Sequence, residues 1–310
     1  MIGLANVCWL KSQNQPFVGW YSPVCSKTTQ PKAKGYIKPI SIPLRMSGNL
    51  MLIEADVDGV SGFFIFDTGA PYLVLNNTYF RDYPHEDEYV ALGINNIEVD
   101  IFRTRVQQLK IRNLVYEKLE ADVADLSHLE NSRGVKILGL LGTNLFTDFV
   151  IGINISEQYL IIHSPSDFSK EKQPAYNVIP FRLKDNIILI SGSMSEVPLN
   201  FVFDTGAEIN VLDHDLPDKA YQPFIIQRRN KLSGSVGNTI EVFAGITQST
   251  KIGSFLVLQM KTIMTNLEGI EKVYDVEVDG IIGYEFLVKV PVIVDFSAKE
   301  IKLPIQEFYD

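Results

Sequence analysis

Cysteine is almost absent from the 310-residue chain, and its two copies, Cys8 and Cys25, both lie within the first 25 residues. The rest of the chain therefore needs neither a disulfide nor a thiolate metal site. No apolar run approaches the roughly 18 residues that a membrane-spanning helix requires. The first ten residues lack the basic stretch of a signal peptide. Asn6 interrupts their apolar run, and Lys11 and Ser12 follow it. We expect a soluble protein with no signal peptide and no membrane span, and the sequence leaves its compartment open.

Clusters of metal-ligating or nucleophilic residues are missing as well. The four histidines are scattered without the spacing of metal ligands, at His85, His128, His163 and His214. The chain has no Gly-x-Ser-x-Gly elbow and no glycine-rich phosphate loop ahead of a helix. Its net charge of −9 disfavours nucleic acid or anionic lipid as the main partner. We expect no metal, no other cofactor and no nucleic-acid partner.

What the chain does contain is an internal repeat. Residues 64–70 read FIFDTGA, and 137 positions later residues 201–207 read FVFDTGA. Without a gap, residues 42–76 align with residues 179–213, and 15 of these 35 positions are identical. A lone Asp-Thr-Gly is often an ordinary turn, because Asp and Gly both favour turns. Its recurrence at the same place in two related halves predicts a shared role for the two aspartates.

A second signature follows each of these motifs. Residues 139–146 read GLLGTNLF, and residues 280–287 read GIIGYEFL. Two repeats of more than about 100 residues are too few and too long for a solenoid, so they predict a duplicated domain. In each half, short runs of β-forming residues lie between turn residues. The sequence therefore predicts an all-β fold made of two homologous, barrel-like lobes related by a pseudo-two-fold axis.

The boundaries of the lobes follow from composition. Residues 1–36 mix polar residues, prolines and two tryptophans without periodicity, which predicts a loosely ordered lead segment. Residues 164–176 are polar and contain two prolines, as linkers do. We therefore place the first lobe at residues 37–163 and the second lobe at residues 177–310. Helical signals are thin, and short helices are expected only after each Gly-containing block and over residues 123–131.

Asp67 and Asp204 each follow an apolar run and precede Thr-Gly, which places a carboxylate on a tight turn at the rim of a buried strand. If the lobes pack about a pseudo-two-fold axis, the two aspartates meet at that axis. Two carboxyls at hydrogen-bonding distance cannot both ionise cheaply, so the pair retains one proton and titrates as a unit. The ionised Asp can then deprotonate a water that attacks a carbonyl carbon, while the protonated Asp hydrogen-bonds the developing oxyanion. The pair is thus suited to hydrolysis with an amine as the leaving group.

These motifs resemble those of the pepsin-like and retropepsin-like aspartic peptidases over about residues 37–304. The resemblance implies the acid protease fold and an aspartic endopeptidase with a peptide or protein substrate in the cleft between the lobes. It also implies a monomer, because one chain carries both catalytic residues, Asp67 and Asp204. The Ala after each Asp-Thr-Gly is similar to the retroviral type, whereas pepsins usually carry Ser or Thr there. The residues that the resemblance assigns to the supporting active-site loops are Thr68, Gly69, Ala70, Thr205, Gly206 and Ala207.

In that family a β-hairpin, the flap, closes over the substrate. The candidate flap residues are Gly93, Ile94 and Asn95 in the first lobe and Gly234, Ser235 and Gly237 in the second. Neither segment has the Tyr-Gly pair that is typical of the pepsin flap. The specificity that a flap would set is therefore not predicted.

Other interpretations stay open. The motifs could be turns kept for structural reasons, and a pepsin-like scaffold could be a catalytically silent peptide-binding module, because fold does not fix function. Both Asp-Thr-Gly triplets are intact, which favours an enzyme, since facing buried carboxylates lower stability. An active protein could be a narrow processing peptidase or a general one. Residues 1–36 could occupy the cleft as a pro-segment.

Overall fold

The computed structural model describes residues 30–36, 38–92, 98–171, 174–233 and 239–305. Strands predominate in this part of the chain, and its two longest helices have seven residues each. Within these ranges no helix has the length and apolar character needed to cross a membrane. The predicted all-β class is therefore confirmed.

The strands fall into two lobes. In chain order, the described strands of the first lobe are β1 (Ile40–Pro43), β2 (Arg45–Ser47), β3 (Leu50–Val57), β4 (Val60–Phe66), β5 (Leu73–Asn76), β6 (Asp87–Leu92), β7 (Glu98–Ile111), β8 (Leu114–Ala124), β9 (Ile137–Leu141), β10 (Val150–Asn154) and β11 (Tyr159–His163). Those of the second lobe are β12 (Tyr176–Lys184), β13 (Ile187–Met194), β14 (Val197–Phe203), β15 (Asn210–Asp213), β16 (Phe224–Ser233), β17 (Thr239–Ile252), β18 (Phe255–Thr265), β19 (Gly280–Ile282), β20 (Val292–Asp295) and β21 (Glu300–Pro304).

Helices are short connectors between these strands. The α-helices are α1 (Asn77–Phe80), α2 (Ser127–Arg133), α3 (Pro165–Phe168), α4 (Glu268–Tyr274) and α5 (Tyr284–Leu287). Single 3-10 turns occupy Thr143–Leu145 and Asp218–Tyr221.

Both lobes have the same strand order, so the duplication read from the sequence is also a duplication of the fold. The first-lobe sheet runs β2-β3-β4-β9-β5-β8-β7-β6, and its counterpart runs β12-β13-β14-β19-β15-β18-β17-β16. In each lobe the strand that leads into Asp-Thr-Gly pairs in parallel with the strand of the second signature, β4 with β9 and β14 with β19. The two signatures are therefore neighbours in space as well as partners in the repeat.

A shared sheet joins the lobes. Its strands run β1-β11-β10-β20-β21-β12, three from each lobe, and continue directly into the second-lobe sheet. The seam between lobes is the antiparallel pair β10 and β20, in which Ile151 faces Val294. Hydrogen bonds along this seam and apolar burial around it fix the relation between the two halves.

In each lobe, a tight hairpin precedes the Asp-Thr-Gly motif, and its second strand ends in the hydrophobic core. Asp58 and Gly59 connect β3 to β4 with φ of 51° and 87°, and Ser195 and Glu196 connect β13 to β14 with φ of 48° and 62°. Two successive positive φ values are typical of the type I′ turn, whose twist matches that of the paired strands. The last three residues of β4 and of β14 are all buried. Each aspartate therefore emerges from a strand that has already entered the core.

Aromatic side chains anchor these strands. Phe66 packs edge to face on Phe146 with ring centroids 5.1 Å apart, and Phe203 packs on Phe286 at 6.3 Å. All four rings are at most 1% exposed. Truncating such a ring to Ala typically costs about 3–5 kcal/mol, so the strands beneath the motifs are held firmly.

Two local features refine what the sequence led us to expect. The helix expected over residues 123–131 starts later, at Ser127, because Val123 and Ala124 still pair with β5. The segment expected to be a linker contains α3, whose Phe168 is only 8% exposed. In the lead segment, Cys8 and Cys25 lie outside the described residues.

The described end of the lead segment, residues 30–36, is packed on the fold rather than loosely ordered. Lys34 exchanges two main-chain hydrogen bonds with Val115, of 2.8 and 3.0 Å. Gln30 Nε2 donates to Asn186 Oδ1 at 2.7 Å, which ties the segment to the second lobe.

Candidate active site

Each motif aspartate begins a turn that is fastened to the second signature of its own lobe. The Asp67 amide donates to the Leu141 carbonyl at 3.2 Å, and the Asp204 amide donates to the Ile282 carbonyl at 2.9 Å. These bonds extend the parallel pairs β4–β9 and β14–β19 by one residue. The two aspartates are thus placed by backbone hydrogen bonds, in equivalent positions of the two lobes.

The two turns are then tied to each other across the lobes. The Thr68 amide donates to Thr205 Oγ1 at 2.9 Å, and the Thr205 amide donates to Thr68 Oγ1 at 3.0 Å. Each hydroxyl also donates to a main-chain carbonyl of the opposite strand, that of Phe203 or Phe66, both at 2.9 Å. All four groups are buried, so the hydroxyls satisfy backbone atoms that water cannot reach. The reciprocal pattern fixes the separation of the turns.

The glycines of both motifs let the carboxyl groups approach. A Cβ added to Gly69 would lie 2.4 Å from an Asp204 carboxylate oxygen, and one added to Gly206 would lie 2.4 Å from an Asp67 carboxylate oxygen. Any side chain at either position would occupy the space of the opposite carboxyl. Asp67 and Asp204 therefore face each other across the two glycines.

Main-chain amides hold the carboxyl groups in place. Asp67 Oδ1 accepts hydrogen bonds from the amides of Gly69 and Ala70 at 2.8 and 3.2 Å. Asp204 Oδ1 accepts one from the Gly206 amide at 2.8 Å. The Ala207 amide instead donates to the main-chain carbonyl of Asp204, at 3.3 Å. Such bonds orient one oxygen of each carboxyl and leave the other oxygen for chemistry.

Burial and like charge act on the same pair. Burial first, and then the negative charge of Asp204, raise the pKa of Asp67 well above its ordinary value, against the lowering effect of its two amide hydrogen bonds. Asp67 Oδ2 is buried and receives no hydrogen bond from the described residues. A proton held between Asp67 and Asp204 would give this oxygen its missing partner. The arrangement therefore favours one proton shared by two carboxyls.

Neither aspartate has exposed surface, since both are 0% exposed. The carboxyl groups are therefore shielded from bulk water.

The second signatures support the turns from behind. The Thr143 amide donates to the Ala70 carbonyl at 2.8 Å, and the Tyr284 amide donates to the Ala207 carbonyl at 2.9 Å. Thr143 Oγ1 adds a bond to the Thr68 carbonyl at 3.0 Å. All eight motif residues, Asp-Thr-Gly-Ala in each lobe, are buried and lie around this one centre.

The candidate flap residues Gly93, Ile94, Asn95, Gly234, Ser235 and Gly237 lie outside the described residues. The strands beside them are antiparallel pairs, β6 with β7 and β16 with β17. The last described partners are Leu92 with Glu98 and Ser233 with Thr239. Each candidate segment therefore connects the two arms of a hairpin.

Sequence reasoning missed Glu208, which directly follows the second motif. Its carboxylate accepts a hydrogen bond from Arg133 of the first lobe at 2.5 Å, and the Asn49 amide donates to it at 3.2 Å. Glu208 stands where the first lobe has Pro71, and this departure from the repeat was the one signal that could have found it.

A second group of titratable residues lies elsewhere. Asp213, His214 and Asp215 bring possible ligand atoms within 4.8 Å of one another, beside a cavity of about 260 Å³ that no motif residue lines. The Asp213 carboxylate already accepts hydrogen bonds from the amides of Asp215 and Leu267, both at 2.7 Å. Its related residue, Asn76, likewise accepts from the Thr78 amide, so the position serves as a turn cap in both lobes.

Comparison with known proteins agrees with the duplicated geometry. The family model described as aspartyl protease matches the chain twice, at residues 53–145 and 190–286, which together cover more than half of it. Each match contains one Asp-Thr-Gly and all but the last residue of one second signature. A search of curated proteins found no match. The chain belongs to the aspartyl protease family.

Proposed function

We propose that the protein is an aspartic endopeptidase of the retropepsin-like type whose catalytic pair is Asp67 and Asp204. The observation that carries the proposal is the meeting of these two carboxyls at a buried centre built by cross-bonded turns. Family membership supports proteolysis in general. The assignment of the catalytic step to these two residues rests on their mutual geometry and on the raised pKa of Asp67.

In the proposed step, the ionised carboxyl removes a proton from a water molecule while the water oxygen attacks the peptide carbonyl carbon. The protonated carboxyl hydrogen-bonds the carbonyl oxygen, which becomes the hydroxyl of a tetrahedral intermediate. Collapse of the intermediate breaks the C–N bond. The leaving amine takes a proton from the pair, and one hydroxyl of the intermediate returns its proton to the pair as it becomes the carbonyl of the product. The products are a carboxyl group and an amine, and the pair ends with one proton as it began.

The substrate in this proposal is an extended peptide between the lobes. Hairpins β6–β7 and β16–β17 supply strand edges to which a peptide can add by main-chain hydrogen bonds. We assign the flaps to the tips of these hairpins, the lobes to residues 37–163 and 177–310, and the active form to the monomer. These assignments share one premise, that each lobe contributes half of a single cleft.

The first test is cleavage of a mixed quenched-fluorescent peptide library between pH 3 and 8. The wild type is expected to cleave internal peptide bonds, and Asp204→Asn, which keeps the shape of the side chain, is expected to be inactive. The same assay on protein lacking residues 1–36 shows whether that segment blocks the cleft. Peptides bound but never cleaved by either form would favour the silent binding module instead.

A further inference from the structure

Glu208 connects the second-lobe active-site loop to the first lobe at two places. Its Oε2 accepts from Arg133 Nη2 at 2.5 Å, and its Oε1 accepts from the Asn49 amide at 3.2 Å. Asn49 Nδ2 also donates to the Glu208 main-chain carbonyl, at 2.9 Å. Arg133 is itself fixed, because its Nη1 donates to the Leu129 carbonyl at 3.1 Å. The loop is therefore held by the end of α2 and by the turn between β2 and β3.

This ion pair is largely removed from solvent. The Arg133 side chain is 9% exposed and that of Glu208 is 10% exposed. A buried ion pair contributes little net stability compared with apolar residues, but removal of one partner leaves an uncompensated charge. A contact of this kind is better suited to fixing a geometry than to adding stability.

The pair has no counterpart on the other side of the pseudo-two-fold axis. The residue related to Glu208 is Pro71, and the residue that ends α4, as Arg133 ends α2, is Tyr274. Neither can take part in an ion pair. The residue related to Asn49 is Asn186, which accepts a hydrogen bond from Gln30 instead. The second-lobe loop thus has an interlobe ion pair that the first-lobe loop lacks.

We propose that Glu208 and Arg133 are positioning residues that hold the second-lobe loop in register with the first lobe, so that Asp204 meets Asp67. Glu208 is four residues from Asp204 and three from Thr205, whose amide and hydroxyl make the bonds between the turns. The inference rests on the proposed function, because it assigns the pair a role in the geometry of the catalytic residues. Without the pair, the loop keeps its motif and its bonds to Asn49 and Thr68 but loses its charged contact with the end of α2.

The test compares Arg133→Met, Glu208→Gln, the double variant and the conservative Arg133→Lys. Misplacement of reacting groups by about 1 Å can lower a rate about 100-fold, so each single charge removal is expected to lower kcat about 10- to 100-fold with KM nearly unchanged. The double variant is expected to lose about as much as either single one, because the two residues act as one unit. Arg133→Lys keeps the charge and is expected to retain most of kcat.

A second readout does not depend on turnover. Hydrogen exchange of the Thr68 and Thr205 amides reports directly on the bonds between the turns. Arg133→Met is expected to speed this exchange about tenfold or more, since local opening becomes easier. Failure of the wild type to cleave any peptide would contradict the proposed function. Unchanged amide exchange in Arg133→Met would contradict the positioning role, whether or not the wild type is active.

The matched control is Lys302→Met, which removes the cation of another shielded ion pair. Lys302 lies 2.6 Å from Asp295, and the side chains are 15% and 7% exposed. Their strands, β20 and β21, pair with neither motif strand. This variant should leave kcat and the exchange of Thr68 and Thr205 within about twofold of the wild type. Equal losses in the control, or independent and additive losses in the two single variants, would overturn the proposal.

Discussion

At the scale of single residues, Asp67 and Asp204 hold positions that lower stability. Both are fully buried, and the charge of Asp204 raises the energy of ionising Asp67. Amide hydrogen bonds from Gly69, Ala70 and Gly206 offset part of this cost. Residues that work against folding in this way are typical of functional sites. The destabilisation that they cause can be measured as a pH dependence of the free energy of unfolding.

Asp67→Asn is expected to stabilise the protein near pH 7 but not at low pH. The pKa of Asp67 is raised in the folded state, so between the ordinary value of 3.8 and the raised value the native protein holds more protons than the unfolded chain. Stability contributed by this group therefore falls as pH rises through that window. Asn cannot ionise, so above this window the free energy of unfolding of the variant should exceed that of the wild type by about 1.4 kcal/mol for each unit of the pKa difference.

Urea denaturation at a series of pH values checks this expectation. Asp82→Asn, which removes one carboxyl at an exposed position, is the matched control. A gain for Asp67→Asn that stays constant from pH 3 to 8 would contradict a raised pKa.

Thr205→Val is expected to destabilise the protein far more than Thr205→Ser. Valine has nearly the same shape, but it leaves the Thr68 amide and the Phe66 carbonyl buried without partners. Each unsatisfied group costs about 1–3 kcal/mol, so the loss in unfolding free energy should reach about 2–6 kcal/mol. Chemical denaturation of both variants provides the measurement. Equal stability of the two would mean that the hydroxyl bonds do not hold the turns together.

The sequence allowed some of these residues to be predicted and hid others for a physical reason. Asp67 and Asp204 are found because an Asp-Thr-Gly turn is a local pattern, and its repetition needs no knowledge of the fold. Glu208 and Arg133 are 75 positions apart, and each alone has the pattern of a surface charge. Only the packing of α2 against the opposite loop brings them together.

At the scale of elements, β9 and β19 and the turns that follow them pack against the two Asp-Thr-Gly turns. The turn after β9 comes so close to the first-lobe loop that a Cβ on Gly142 would lie 2.1 Å from the Tyr72 carbonyl oxygen. Gly142 has φ of −79°, a value open to any residue, so close approach and not backbone freedom requires glycine there. The second signature is thus a packing motif whose glycine leaves room for the loop.

Gly142→Ala is expected to lower both stability and turnover. Overpacking costs about 1–3 kcal/mol or more, and the displaced loop would carry Asp67 away from its partner. Gly152→Ala is the control, because its Cβ would meet the Cγ2 methyl of Ile161 at 2.7 Å but no main-chain atom closer than 4.0 Å. Melting temperature and kcat are measured for both. Similar effects at the two sites would show that the loop contact has no special importance.

Predictions of elements from the sequence succeeded where local signals decide and failed where long-range pairing decides. The hairpin before Asp67 was predictable, since Asp58 and Gly59 mark a turn between two apolar runs. The start of α2 was not, because β8 extends to Ala124 through pairing with Asn76, which is distant in sequence. The strand order of the sheet between the lobes depends on the same kind of distant contact.

At the scale of the whole molecule, duplication places two Asp-Thr-Gly half-sites on one chain. The sheet β1-β11-β10-β20-β21-β12 takes three strands from each lobe, so neither lobe has its complete sheet alone. The contact between the two half-sites would depend on protein concentration if they lay on separate chains. Here it forms within one folded chain.

Specific activity is therefore expected to be independent of protein concentration. Turnover per molecule should stay constant from the nanomolar to the micromolar range, and sedimentation should show a monomer. The two lobes expressed as separate chains, residues 1–163 and 164–310, should be inactive at the same concentrations. Activity of the full chain that falls on dilution would contradict a cleft completed within one chain.

The most direct test of the central claim is a kinetic cycle with wild type, Asp67→Asn, Asp204→Asn and the double variant on one cleaved peptide. Residues that share one proton and one step act as a unit, so each single variant should lose about as much turnover as the double variant. Circular dichroism should show all four proteins folded. Turnover that survives in either single variant, or losses that add independently in the double variant, would contradict catalysis by a shared Asp67/Asp204 pair.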